Sequence, residues 1–224
     1  IENLVKRFPI GGGEFTALNG INLSFSKGEF TGIVGPSGSG KTTLLNILGS
    51  LDAPSAGVTE VLGTSSNNMT PKVAASLRKL RIGFIFQTYN LMPVYTVYEN
   101  VEFPLLLLKQ PASERKKAVL EALEWVGLSD KIKSKPPMLS GGESQRVAIA
   151  RAMVKKPDLV LADEPTANLD AENSHHILQT MEKLNKELET TFVFATHDEK
   201  VIGYLRRIIR LEDGKVVSDE NIKN

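Results

Sequence analysis

The chain has no cysteine among its 224 residues, which excludes disulfide staples and fits a reducing cytoplasm. It has almost no net charge either, since 27 Lys+Arg against 26 Asp+Glu leave +1. That balance gives no sign of a general nucleic-acid binder, and no nucleic-acid partner is expected. Long hydrophobic runs are missing too. The longest worth testing, Leu105-Leu106-Leu107-Leu108 behind Phe103 and Pro104, is far short of the ~20 residues a spanning helix needs. No signal peptide is visible at the end given, which starts at Ile1 rather than Met. No solenoid-type repeat and no low-complexity tract occurs beyond the turn Gly11-Gly12-Gly13. The expectation is a protein soluble by itself, without direct lipid insertion, whose membrane connection runs through a partner.

With 41% hydrophobic residues, the length suits one large domain or two interlocked lobes. The N-terminal stretch reads as short strands over Ile1–Phe8 and Ala17–Phe25, the second alternating through Leu18, Ile21, Leu23 and Phe25. Phe30–Val34 is an apolar strand leading into a glycine-rich loop, and Thr42–Gly49 has helical spacing at Leu44, Leu45, Ile47 and Leu48. Ile82–Phe86, Leu159–Ala162 and Phe192–Ala195 are continuous rather than alternating, as parallel strands covered on both faces should be. Helical patterns lie between them. Val119, Leu120, Leu123 and Val126 share one side of Glu114–Val126, and Val147, Ala150 and Val154 share one side of Glu143–Val154. Ile177, Leu178, Met181, Leu184 and Leu188 line a third helix. Such alternation predicts an α/β fold with a parallel-sheet core. The end reads as a hairpin, Ile208–Leu211 and Val216-Val217 around Asp213-Gly214.

Gly35-Pro36-Ser37-Gly38-Ser39-Gly40-Lys41-Thr42 matches G-x-x-x-x-G-K-[ST] after a strand and before a helix, the context the motif requires. Glycines let backbone N–H groups converge on phosphate oxygens, and the helix start adds its positive dipole end. Lys41 then reaches the terminal phosphates and the Thr42 hydroxyl ligates Mg²⁺. The strand Leu159–Ala162 ends in Asp163, placed to hold Mg²⁺, and Glu164, which strand periodicity aims to the other side, toward an attacking water. Ile82–Phe86 ends at Gln87, and Phe192–Thr196 ends at His197. Four strands thus bring polar chemistry to their carboxyl ends, the edge where open α/β sheets bind ligands.

A second glycine motif, Leu139-Ser140-Gly141-Gly142-Glu143-Ser144-Gln145, precedes a strong helix. Ser140 with Glu143 fits a capping box, which by itself means only a well-capped helix. Two glycines at its first positions weaken that helix while baring N–H groups that could grip an anion. Spacing does not say whose anion.

These motifs, in this order, resemble the ATP-binding cassette ATPases over essentially the whole chain. Gly35–Thr42 looks like their Walker A, Leu159–Glu164 their Walker B and Leu139–Gln145 their signature. Gln87 looks like the Q-loop residue, Ala167-Asn168-Leu169-Asp170 the D-loop and His197 the switch histidine. Phe8 stands where the family usually has an adenine-stacking Tyr, so stacking survives without the phenolic hydrogen bond. The resemblance implies a P-loop NTPase (RecA-like) core with an N-terminal antiparallel β part and an inserted helical part. It implies one ATPase domain over 1–224, the nucleotide-binding part being 1–87 and 158–224 and the helical part 88–157.

The resemblance also implies ATP and Mg²⁺, the latter on Thr42, Gln87 and Asp163. Nucleotide contacts are implied for Phe8, Gly35, Pro36, Ser37, Gly38, Ser39, Gly40, Lys41, Thr42 and Thr43. Lys41, Gln87, Glu164 and His197 would act in hydrolysis, with Glu164 polarising the water. ATP binding would close a head-to-tail homodimer in which Ser140, Gly141, Gly142 and Glu143 meet the opposing subunit's ATP. The family works on integral-membrane permease subunits, placing the chain peripherally at the cytoplasmic face of the inner membrane. Gly83–Pro93 and Glu99–Leu105 are similar to the subgroup serving lipoprotein release, macrolide export and antimicrobial-peptide resistance, with cell-division relatives. The apolar connecting stretch Tyr89–Leu108 is expected to form the groove for a permease helix.

Other classes fit less well. A GTPase needs Asn-Lys-x-Asp, and Asn185-Lys186-Glu187-Leu188 lacks the Asp. A nucleoside or shikimate-type kinase would leave Leu139–Gln145 and His197 unexplained. A cassette ATPase in a division or other non-transport membrane complex is the alternative.

Overall fold

The computed structural model describes residues 1–222. β1 (Glu2–Ile10) and β2 (Gly13–Ile21) form a hairpin. β3 (Phe30–Val34) runs into the glycine loop and α1 (Lys41–Leu48). Short strands β4 (Ala56–Val58), β5 (Glu60–Val61) and β6 (Thr64–Ser65) precede α2 (Pro71–Leu80), which has Pro71 in its first turn. β7 (Ile82–Phe86) leads to α3 (Val97–Leu107), α4 (Ala112–Trp125) and α5 (Gly141–Met153). Then come β8 (Leu159–Asp163), α6 (Ala171–Leu188), β9 (Thr191–Thr196), α7 (Glu199–Ile202) and the hairpin β10 (Arg207–Glu212) and β11 (Lys215–Asn221).

The central sheet has six strands in the order β11-β10-β3-β9-β8-β7, all parallel except β11. A second, antiparallel sheet has the order β2-β1-β4. Strand alternation divides the core. Phe30, Phe192 and Phe194 join α3, α4, α5 and α6 on one face, while Ile33, Val193 and Ala195 join α1 and β2 on the other. Phe30 lies 4.7 Å from Phe194 and 5.5 Å from Phe192, centroid to centroid, under α5 and α6. Truncating one such ring to alanine costs about 3–5 kcal/mol.

Several sequence expectations are corrected. Leu120 is 40% exposed, and Ala122 takes the buried place beside Val119 and Leu123 on α4. β2 stops at Ile21, with Gly20 at φ 69, so Leu23 and Phe25 follow the strand instead of extending it. β7 is the sheet's outer strand, and its run is not covered on both faces: Phe84 and Phe86 stay half-open. The stretch read as connecting, Tyr89–Leu108, contains α3, started by a Thr96–Glu99 capping box.

Candidate functional site

The loop after β3 ends at Gly40, whose φ of 103 only glycine adopts without strain. A Cβ there would also stand 2.7 Å from the Ala17 carbonyl, so β2 presses directly on the loop. Leu44 N is the first to bond back, to Gly40 O at 2.9 Å, and Gly40 supplies no side-chain cap. The N–H groups of Lys41, Thr42 and Thr43 therefore have no partner within α1 and are open to an anion. Lys41 is 7% exposed, and its Nζ donates to the carbonyls of Gly35 (2.7 Å) and Pro36 (2.9 Å).

Thr42 Oγ1 donates to the Asp163 carboxylate, 3.0 Å from Oδ2 and 3.2 Å from Oδ1. Burial pushes the Asp163 carboxyl above the usual range, and Glu164 adds to that, while Thr42 and Lys41 oppose it. A hydroxyl beside a carboxylate is a hard-oxygen pair suited to Mg²⁺. Among the described residues no three His, Cys, Asp or Glu gather as a metal cluster.

Glu164 is not oriented by strand alternation, because β8 ends at Asp163 and Glu164 sits at φ 45. Its N–H donates to Ala195 O at 2.9 Å, and its side chain turns to β9's end. His197 Nδ1 donates to Oε1 at 2.6 Å and Thr196 Oγ1 to Oε2 at 3.1 Å. Asn168 Nδ2 donates to Gln87 O at 3.0 Å, tying the segment after β8 to the end of β7.

One pocket of about 450 Å³ is lined by Phe8, Ser37, Gly38, Gly40, Lys41, Thr42, Thr43, Gln87, Asp163, Glu164 and His197. Gly35, Pro36 and Ser39 do not line it. Gly35 and Pro36 hold Lys41, and the Ser39 carbonyl accepts the N–H of Gly214 at 3.1 Å. Phe15 and Ala17 line it without having been expected, and so does Ala167, the first residue of the stretch likened to a D-loop. Phe15 is the cross-strand partner of Phe8, and a hairpin register drawn around Gly11-Gly12 could have found it. Lys6 Nζ stands 4.9 Å from the Phe8 ring centroid. The arrangement can hold a nucleoside polyphosphate, with phenyl rings toward the base and cationic and N–H groups toward the phosphates.

Ser140, Gly141, Gly142 and Glu143 lie outside this pocket. Ser140 caps α5 reciprocally, donating its N–H to Glu143 Oε2 at 2.8 Å and accepting the Glu143 N–H at 3.2 Å. Those bonds hold the Glu143 carboxyl below its ordinary range, helped by Lys131. Gln145 is fully buried, and its Nε2 donates to Pro165 O at 2.7 Å, pinning α5 to the residue after Glu164.

Comparison with known proteins agrees with this geometry. The model of a family described as ABC transporter matches residues 18–167. An uncharacterized ABC transporter ATP-binding protein of Methanocaldococcus jannaschii, MJ0796, is 42% identical over 100% of this chain and 97% of its own length. The lipoprotein-releasing system ATP-binding protein LolD of Pseudoalteromonas translucida is 44% identical over 98% of this chain and 95% of its own. Among solved structures, the dimeric post-hydrolysis state of MJ0796 bound to ADP and Pi superposes with a TM-score of 0.91 at 41% identity, covering 100% of this chain and 98% of that one.

Proposed function

The chain belongs to the ABC transporter family and carries its ATP-binding cassette, and on that premise we propose that it hydrolyses ATP to drive a separate membrane permease. One observation carries the reading: four strand ends bring Lys41 with Thr42, Gln87, Asp163 with Glu164, and His197 to a single pocket. Lys41 and the N–H groups from Lys41 to Thr43 bind the terminal phosphates, with Ser37, Gly38 and Gly40 giving backbone access. Phe8 stacks on the base. Thr42, Asp163 and Gln87 would hold Mg²⁺, which when bound neutralises phosphate charge. Glu164 accepts the proton of the attacking water, and a ring N–H of His197, turned to the nucleotide, stabilises the charge that develops on the γ-phosphate.

The same reading completes the site with a second copy. Ser140, Gly141, Gly142 and Glu143 of one subunit meet the ATP of the other in a head-to-tail dimer, with hydrolysis reopening it. Residues 88–157 form the helical part, and 1–87 with 158–224 the nucleotide-binding part, of which 223–224 lie outside the described residues. No helix among the described residues is long and apolar enough to cross a membrane. On this reading the chain works peripherally, at the cytoplasmic face, through its permease. LolD's name supports lipoprotein release as one of the exporting roles beside macrolide or peptide export and peptide resistance.

The groove expected of Tyr89–Leu108 draws on part of that stretch, Asn90, Met92, Phe103 and Pro104, together with β7. Leu91 and Tyr98 pack against the helical core. A groove of about 450 Å³ opens between Phe84, Phe86, Met92, Phe103 and Pro104, with Arg78, Arg151 and Lys155 among its lining. No acidic residue lines it. An apolar helix carrying a carboxylate fits it, in the helix-in-groove manner.

Glu164→Gln tests the enzymatic reading. ATP turnover is expected to fall at least about 100-fold, as loss of a general base does, while ATP binding persists and a dimer accumulates. Near-normal turnover would remove Glu164 from its role.

A further inference from the structure

The buried hydroxyl of Thr196 belongs to the same arrangement as Glu164, though it does not line the nucleotide pocket. Thr196 ends β9 and is 0% exposed. Its Oγ1 accepts the backbone N–H of Asp198 at 3.0 Å and lies 3.1 Å from Glu164 Oε2. A carboxylate has no proton to give, so the Thr196 hydrogen must point at Glu164. Asp198 is itself fixed, its Oδ2 accepting from Thr166 Oγ1 at 2.8 Å and its Oδ1 from Lys200 N at 3.0 Å. Thr166 is 1% exposed. Glu164 Oε2 therefore ends a chain of hydrogen bonds rooted in the interior.

The other carboxylate oxygen is held differently. His197 donates to Oε1, yet the His197 side chain is 69% exposed against 15% for Glu164. Little packing resists rotation of that imidazole. Backbone anchoring cannot substitute for these contacts. The Glu164 N–H bond to Ala195 O fixes the main chain, but the terminal carboxylate torsion is broad and two-fold unless something grips the oxygens.

We propose that Thr196 is the positioning residue for Glu164: its hydroxyl fixes the carboxylate plane through Oε2, so that Oε1 faces the water after His197 turns to the phosphate. The proposal rests on the reading of Glu164 as the base. Thr196 does not itself line the nucleotide pocket, so its effect belongs in kcat and not in KM.

The test is steady-state Mg²⁺-ATP hydrolysis by the full chain with Thr196→Val and Thr196→Ser. Valine keeps the branched shape and removes the hydroxyl, whereas serine keeps the hydroxyl and loses a methyl. Thr196→Val is expected to lower kcat about 10-fold or more, with KM within about two-fold, because a misplaced group costs rate steeply. Thr196→Ser is expected to keep kcat within about three-fold of the parent, since the donor is retained. Where valine fails to fold, Thr196→Ala gives the same contrast with serine without overfilling the site. Equal losses in the hydroxyl-free and serine variants would mark a packing role and overturn the proposal, as would an unimpaired Thr196→Val. Glu164→Gln is run alongside. Near-normal turnover there removes the base assignment itself, whereas a slow Glu164→Gln beside a fast Thr196→Val removes only the role given to Thr196.

Discussion

A methyl group on Gly142 would overlap Asn173 Oδ1, so the second residue of α5 and the third of α6 leave no room for a side chain between them. Asn173 cannot simply step aside. Its N–H donates to Asp170 Oδ1 at 2.8 Å and its Nδ2 to Oδ2 at 2.7 Å, which makes it part of the α6 cap. Gly142→Ala is therefore expected to push the two helix starts apart. Overpacking of this kind costs about 1–3 kcal/mol of stability, readable as a lowered urea midpoint. In a Glu164→Gln background the same change should abolish the ATP-dependent dimer in size-exclusion chromatography while each monomer still binds a fluorescent ATP analogue. A dimer that forms unchanged would contradict the role given to the α5 tip.

The groove beside β7 predicts a variant with the opposite signature. Phe103 is 36% exposed and lies with Met92 and Pro104 across from Phe84 and Phe86, remote from Lys41 and Glu164. Phe103→Glu should break co-purification with the permease and leave the chain's own ATP turnover within about two-fold, since surface changes away from a site perturb it little. Co-purification at parental levels would count against this docking face.

Lys155 in that groove supplies a pH dependence. Burial lowers its amine from 10.5 to about 8, and its Nζ donates to the carbonyls of Arg78 and Lys79 at the end of α2. The charged form is the one disfavoured by folding. Below pH 8 folded and unfolded chains both hold the proton, and above 10.5 neither does. Between those values the unfolded chain binds the proton more tightly, so stability rises with pH. NMR of the lysine side chain should show a midpoint near 8, and Lys155→Gln should flatten the rise in urea midpoint over that window. A midpoint at the ordinary lysine value would show that the amine is solvated.

Much of this is legible in the sequence. β3, β7, α1 and the Ser140 cap follow from local signals that tertiary packing reinforces: an apolar run, a glycine loop and a reciprocal Ser–Glu pair. What local pattern could not give was position within the sheet. The continuous run of β7 reads as a covered strand, but being outermost it opens Phe84 and Phe86 to a groove. The orientation of Glu164 was misjudged for a similar reason. Strand periodicity ends at Asp163, and a left-handed residue with two side-chain partners on β9's end takes over. Phe15 and Thr196 escaped because each acts through a neighbour across strands, and a single sequence does not print its own register.

The Asp213-Gly214 turn joins the last hairpin to the nucleotide loop, because Gly214 gives its N–H to Ser39 and takes that of Asn19. Tension applied to β11 would thus be transmitted to the seat of the triphosphate without passing through the helices. Any module appended beyond that strand would hold a mechanical lever on how long the nucleotide stays bound.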